Sequence, residues 1–149
     1  MHYGTGTNVS LRSSRRAVDT STMDDSGSGI PDRIDLRVPG NDRFLEMLRG
    51  VVGRAARAAG FTFDGIEDLA LAVDEAAILA LEAEPDQLRL EIEGVNPASG
   101  RLRAVITLIE SSTPWPTPHL RDGMRWQVLS ALIDEIVILD DGRAGISLS

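Results

Sequence analysis

The chain contains no cysteine, no lysine and only two histidines among its 149 residues. The absence of cysteine excludes disulfides, thiolate nucleophiles and cysteine-ligated metal sites. The absence of lysine excludes Schiff-base chemistry and the lysine of a phosphate-binding P-loop. A structural zinc site takes three or four nitrogen or sulfur ligands, which His2 and His119 alone cannot supply. We therefore expect no metal site.

Long apolar segments and excess positive charge are also absent. No uninterrupted apolar run approaches the roughly 18 residues needed to span a membrane, and the N-terminus lacks the apolar core of a signal peptide. We therefore expect a cytoplasmic protein without membrane contact. The net charge of −8 has the wrong sign for displacing counterions from phosphates, so direct nucleic-acid binding is not expected either.

The N-terminal segment differs in composition from the rest of the chain. Residues 1–30 are rich in serine, threonine, glycine and aspartate and contain few large apolar side chains. Such a segment cannot bury enough surface to offset its ordering entropy, so we predict a disordered tail. Periodic patterns begin at Arg33. Residues 31–149 are predicted to form one domain, in line with their length.

The periodic region begins with a strand and two helices. Residues 33–38 alternate apolar and charged side chains, as a half-buried strand does. A first helix is predicted between a cap at 41–42 and Gly60, and a capping box at Asp64 and Glu67 is predicted to open a second helix. The predicted core stripe of the second helix consists of Ile66, Leu69, Ala70, Val73, Ala77 and Ala80.

The remaining patterns complete an α/β domain. Strands are predicted at 88–93, 101–108, 136–139 and 144–148, and a third helix at 122–134. Asp141-Gly142 predicts a two-residue hairpin turn between the last two strands. The order βααββαββ predicts a two-layer sandwich in which helices cover one face of a mixed β-sheet.

Residues 68–77, DLALAVDEAA, resemble the signature helix of the anti-sigma factor and serine kinase family within the GHKL (histidine-kinase-like) ATPases. In that family the helix reads approximately LAVxEAxxNA. Arg49 precedes Glu75 by 26 positions, which is similar to the family's spacing between an arginine of the first helix and the glutamate. The resemblance covers the element order of residues 32–149 and implies the Bergerat ATPase fold.

The family's catalytic positions are only partly retained. In the family, the helical glutamate activates a substrate hydroxyl and an asparagine four residues later ligates magnesium; these positions are Glu75 and Leu79 here. Side chains at i and i+4 share a helix face. Magnesium takes oxygen ligands, which leucine does not offer. The resemblance therefore implies that Glu75 is a vestigial general base.

Two further nucleotide-binding elements of the family are altered. Glu110 occupies the position of the adenine-binding aspartate, but residues 109–116 lack both glycines of that box. The glycine-rich phosphate lid is reduced to residues 122–126, with Gly123 alone remaining. Glycine adopts positive φ without steric cost, whereas the prolines now present fix φ and remove amide donors. Nucleotide binding is therefore expected to be lost, and no cofactor is expected.

Several side chains allow a functional and a structural interpretation. Glu75 is either a surviving base or, as favoured, a solvated surface carboxylate. Leu71, Ile78 and Leu79 lie off the predicted core stripe, either by chance or as a contiguous patch that marks a partner site or a refilled pocket. Trp115 and Trp126 fill either the former adenine space or the core, and we favour the core. His119 is expected on the surface.

A group of arginines on the first helix is the strongest candidate for partner binding. The group contains Arg43, Arg49, Arg54 and Arg57. Solvated arginines are common on helices, but the family uses the arginine at the Arg49 position to contact partners. We therefore expect a partner surface that includes Arg43, Arg49, Glu75 and Leu79.

The resemblance implies a protein that sequesters an alternative sigma factor. An anti-anti-sigma factor would release the sigma factor by competing for the same face, and relatives are commonly homodimers. An ATP-dependent serine/threonine kinase that phosphorylates its anti-anti-sigma antagonist is the alternative, and ATP and magnesium would be cofactors only in that case. A third possibility is a degenerate scaffold that senses another ligand or regulates a phosphatase.

Overall fold

The structure of the chain is a computed structural model that describes Val9–Ser10 and residues 32–149. This part of the chain contains six strands and three α-helices, in the order β1 (Val9–Ser10), β2 (Arg33–Pro39), α1 (Leu45–Ala58), α2 (Phe63–Leu81), β3 (Pro85–Glu93), β4 (Arg103–Ser111), α3 (Met124–Leu132), β5 (Ile136–Asp140) and β6 (Ala144–Leu148). Short 3₁₀ turns occupy Asp42–Phe44 and Pro97–Ser99.

The strands form one sheet in the order β1-β2-β3-β4-β6-β5. Every pairing in the described residues is antiparallel, so the prediction of a mixed sheet is wrong. The two helices between β2 and β3 form a hairpin that returns the chain antiparallel. β5 runs in the same direction as β4, but β6 lies between them and prevents a parallel pair.

The helices cover one face of the sheet, which confirms the predicted two-layer α/β sandwich. Alternate residues of each strand face the helices, as the period of two requires, and Leu36, Leu90 and Ile106 are 0% exposed. α2 lies against α1, α3 and the central strands. It has more buried residues than either neighbour: Leu69, Ala72, Val73, Ala76, Ala77, Leu79 and Ala80.

Two details of the helix and turn chemistry differ from the predictions. The Thr62 hydroxyl, not Asp64, caps α2 by accepting a hydrogen bond from the Gly65 amide at 3.1 Å. Asp64 instead lies in the first turn, where a carboxylate favours the helix dipole. The β5–β6 turn contains three residues, 141–143, because Asp140 pairs with Ala144. Gly142 supplies the positive φ of 102° in this turn.

The predicted N-terminal tail falls mostly outside the described residues. Val9–Ser10 pairs with Leu36 and Asp35 at the edge of the sheet, a short strand that the sequence did not predict. Residues 1–8 and 11–31 are not described, so for them disorder stays a prediction.

The sheet face opposite the helices carries a network of ion pairs. Arg89 donates two hydrogen bonds to the Asp35 carboxylate, at 3.0 and 2.7 Å. The Glu91 side chain is 8% exposed and lies 2.8 Å from Arg33 and 3.4 Å from both Arg89 and Arg143. Burial would raise the pKa of Asp35, but the hydrogen bond and charge of Arg89, with neighbouring arginines, outweigh burial and lower it.

We expect Asp35 to make the stability of the fold depend on acidic pH. A carboxyl whose folded pKa lies below its unfolded value contributes stability above the unfolded value, about pH 4, and loses it as pH falls through the folded pKa. Urea unfolding from pH 6 to pH 2 should therefore show a smaller loss of stability for Asp35→Asn than for the original chain. Asp86→Asn, an exposed carboxylate on β3, controls for the lost charge. Identical pH profiles for Asp35→Asn and the original chain would contradict the expectation.

Candidate functional site

A pocket of about 450 Å³ lies between α2 and the segment that leads into α3. α2 contributes Glu75 and Leu79, and Glu82 follows directly after its last residue. The three residues lie on one face because they are spaced at about one and two helical turns. The other wall comes from the start of α3 and the loop before it. This wall is formed by His119, Leu120, Gly123, Met124, Arg125 and Val128.

The Glu75 carboxylate is paired with Arg125 across the pocket. The Arg125 guanidinium donates to the Glu75 Oε1 at 2.7 Å, and the two side chains are 15% and 44% exposed. The expectation of a solvated surface glutamate is therefore wrong. A hydrogen bond between a guanidinium and a carboxylate is stronger than one between neutral groups. The pair joins α2 to the beginning of α3.

Leu79 belongs to the hydrophobic core, contrary to the prediction that it lies off the core stripe. It is 4% exposed, whereas Leu71 is 42% exposed. The buried face of α2 is wider than the predicted stripe because α2 packs against the sheet, α1 and α3 together. Leu79 therefore meets the pocket only as part of its apolar wall. Leu79 offers no oxygen to magnesium at this position.

The other ionisable groups of the pocket do not favour a polyphosphate. The lining contains two carboxylates, from Glu75 and Glu82, against one guanidinium, from Arg125. The exposed His119 ring lies 2.8 Å from the Asp122 carboxylate through Nδ1. Asp122 adds a further negative charge beside the pocket. Like charge at the entrance of a site lowers the local concentration of anions.

Sequence reasoning placed His119 on the surface but missed its position in the pocket wall. The only available signal was Asp122 three residues later, and the loop conformation that joins them is irregular. The His119 backbone has a φ of 64°, in the left-handed region that few non-glycine residues adopt. A conformation of this kind leaves no periodic pattern in the sequence.

The other two positions that the resemblance assigns to nucleotide binding, Gly123 and Glu110, lie in different places. Gly123 lines the pocket and is the N-cap residue of α3, with no side chain to cap the helix. Glu110 is exposed at the end of β4, with a φ of 55°, and is not among the residues that line the pocket. Glu75, Leu79 and Gly123 are therefore brought together, and Glu110 is not.

Arg49 contacts the residue before Glu75. Its guanidinium lies 3.4 Å from the Asp74 Oδ2, and the side chains are 45% and 16% exposed. The other carboxylate oxygen of Asp74 is buried without a hydrogen-bond partner in the described residues. Two successive residues of α2 thus bind arginines of different helices. Asp74 binds Arg49 of α1, and Glu75 binds Arg125 of α3. Arg43, Arg54 and Arg57 are exposed.

Both tryptophans pack against the core and are absent from the residues lining the pocket. The Trp115 indole donates to the Leu139 carbonyl oxygen at 3.0 Å, which joins the proline-rich loop to β5. Trp126 lies partly buried beneath Arg121, whose guanidinium is 5.4 Å from the ring centroid. This arrangement supports the core-packing interpretation.

Neither a metal cluster nor a membrane segment is found in the described residues. No group of three or more histidine, aspartate or glutamate side chains is placed to hold a metal ion there. No helix of residues 32–149 is long and apolar enough to cross a bilayer.

An antiparallel sheet covered on one face by three helices, with a pocket between α2 and α3, is consistent with a histidine-kinase-like α/β fold. Two Mycobacterium tuberculosis proteins named anti-sigma-F factor RsbW, from strains CDC 1551/Oshkosh and H37Rv, are 32% identical to this chain over 114 residues. Proteins named serine-protein kinase RsbW from Bacillus cereus AH187 and Bacillus anthracis are 25% identical over 128 residues. By these similarities the chain resembles proteins named RsbW.

The extent of these similarities differs between the two groups. Each alignment covers 74% of the chain, but 63% of the mycobacterial proteins' length and 79% of the Bacillus proteins' length. The chain thus spans less than two thirds of the mycobacterial relatives that it matches. No model of a known protein family matches the chain.

Proposed function

We propose that this chain is an anti-sigma factor-like regulator, which binds and sequesters an alternative sigma factor. The observation that carries the proposal is the 32% identity to proteins named anti-sigma-F factor. Release occurs when an anti-anti-sigma factor competes for the same face. A homodimer is compatible with this mechanism.

The contact surface that we propose centres on α1 and the adjoining edge of α2. Arg43 is exposed and Arg49 is about half exposed, so both guanidinium groups are accessible to a partner carboxylate. Both side chains are positively charged, whereas the whole chain has a net charge of −8. The surface that carries Arg43 and Arg49 can therefore complement a negatively charged partner surface. Glu75 follows Asp74, the α2 residue that Arg49 contacts, but its own side chain lines the pocket with Arg125. Leu79 contributes only through the pocket wall.

The alternative is an ATP-dependent serine/threonine kinase that phosphorylates its anti-anti-sigma antagonist. It is favoured by the Bacillus relatives named serine-protein kinase and by the retention of Glu75. The pocket residues do not fit Mg–ATP, because Leu79 replaces an oxygen ligand and Arg125 already binds the Glu75 carboxylate. We therefore favour a binding protein without a nucleotide cofactor.

Calorimetry with ATP and magnesium separates the two functions. We expect a dissociation constant weaker than about 100 μM, equivalent to less than roughly 5.5 kcal/mol of binding free energy. Leu79→Asn alone should not restore binding, because the acidic pocket and the lost glycines remain. Tighter binding would contradict the expected loss of the nucleotide site. Phosphate transfer to a co-purified partner would establish the kinase function instead.

A further inference from the structure

Strand β5 is an open edge of the sheet with unusual composition. β5 has only β6 beside it among the described strands. Its first four residues are Ile136-Val-Ile-Leu139, without the proline or internal charge that commonly protects an edge. Every residue of β5 retains some exposure, and Val137 is 42% exposed. The strand next to the opposite edge, β2, contains Arg33, Asp35, Arg37 and Pro39.

The hydrogen-bond register shows which backbone groups this edge offers. Glu135 and Ser149 exchange both backbone hydrogen bonds, at 3.1 and 3.0 Å. In an antiparallel ladder such pairs alternate with pairs that exchange none. Val137 and Leu139 are therefore bonded to β6, and the N–H and C=O groups of Ile136 and Ile138 point to the open side. Those groups can bind an added strand.

The ends of β5 are acidic on both sides. Asp134 and Glu135 precede the apolar segment, and Asp140 and Asp141 follow it. Glu135 forms only a long, exposed ion pair with Arg101 at 3.7 Å. In the described part of the chain, the other three carboxylates form no ion pair. An incoming strand therefore meets negative charge at each end of its pairing region.

The acidic ends of β5 discriminate between two kinds of added strand, a second copy of this chain and a segment with basic ends. An antiparallel pair of two β5 strands centred on Ile138 would place Glu135 opposite Asp141, and a parallel pair would place each carboxylate opposite its own copy. Like charges directly opposite each other destabilise a strand pair, so a second copy of the chain is disfavoured. A strand with basic residues at both ends would instead find opposite charges.

We propose that the β5 edge binds a partner protein by strand addition, and that the partner segment is an extended apolar stretch flanked by arginine or lysine. Main-chain hydrogen bonds to Ile136 and Ile138 provide affinity, and the acidic ends provide specificity. The surface is separate from α1, so the inference does not depend on sigma-factor binding.

The test uses NMR titration of the full chain with two synthetic decapeptides of alternating valine and threonine. One has two arginines at each end, and the matched control has two glutamates at each end. We expect the arginine peptide to shift the amide signals of Ile136–Asp140 and to bind at least about tenfold more tightly than the glutamate peptide. Equal affinity, or shifts confined to other elements, would overturn the proposal.

Two variants test whether the arginine peptide binds at the β5 edge. Ile138→Pro removes an outward N–H and should weaken arginine-peptide binding at least about tenfold. The double variant Asp134→Arg, Asp140→Arg should reduce the preference for the arginine peptide over the glutamate peptide. If the proline variant does not fold, this double variant tests whether β5 is the binding site. An unchanged preference, or self-association of the original chain that Ile138→Pro abolishes, would contradict the assignment.

Discussion

Replacing Leu79 by asparagine is expected to lower the free energy of unfolding by at least about 2 kcal/mol. Leu79 is 4% exposed among the side chains between α2, α3 and the sheet. The substitution removes apolar contacts and places an amide where few hydrogen-bond partners are available. Leu79→Ala, which only truncates the side chain, should cost about 2–5 kcal/mol. Chemical unfolding monitored by circular dichroism measures both changes.

Leu71→Asn provides a matched control on the same helix. Leu71 is 42% exposed, so the same chemical change there should alter stability by less than about 1 kcal/mol. The contrast tests whether Leu79, the position at which the resemblance implies a magnesium ligand, belongs to the core. A similar, small effect at both positions would show that Leu79 is not a core residue and would reopen the question of a polar site.

Replacing Arg49 by alanine is expected to weaken sigma-factor binding at least about tenfold, since an arginine at the centre of an interface commonly contributes 2 kcal/mol or more. The Arg49 guanidinium is oriented by Asp74 and remains accessible for bidentate pairing with a partner carboxylate. Exposed ion pairs contribute at most about 1 kcal/mol to folding, so stability should change little. Calorimetric titration with the purified partner measures the affinity.

Arg57→Ala is the control for the Arg49 prediction. Arg57 is exposed two turns further along α1 and should affect affinity less. Unchanged affinity in Arg49→Ala would remove this residue from the interface. A large fall in melting temperature would mean that Arg49 acts through Asp74 in folding rather than through a partner.

The periodic elements could be predicted from the sequence because their signal is local. The alternation at 33–38 became β2, and the helix predicted between 41–42 and Gly60 became α1 with a preceding 3₁₀ turn. The antiparallel character of the whole sheet could not be predicted. It depends on β6 lying between β4 and β5, and insertion of a strand leaves no local pattern.

The pocket could be predicted only in part. Resemblance identified Glu75, Leu79 and Gly123, which do share one pocket. The partner of Glu75 was missed because Arg125 is 50 residues away and only the packing of α3 on α2 brings it near. The burial of Leu79 was missed for the same reason. The apolar stripe of a single helix predicts one buried face, whereas α2 packs against α1, α3 and the sheet.

Affinity capture of the tagged full chain from its native cells, with identification of bound proteins by mass spectrometry, tests directly whether the chain binds an alternative sigma factor. We expect that an alternative sigma factor is recovered and that the Arg49→Ala bait recovers at least about tenfold less of it. A folded bait that recovers no sigma factor, under conditions in which the cell contains alternative sigma factors, would contradict the proposed function.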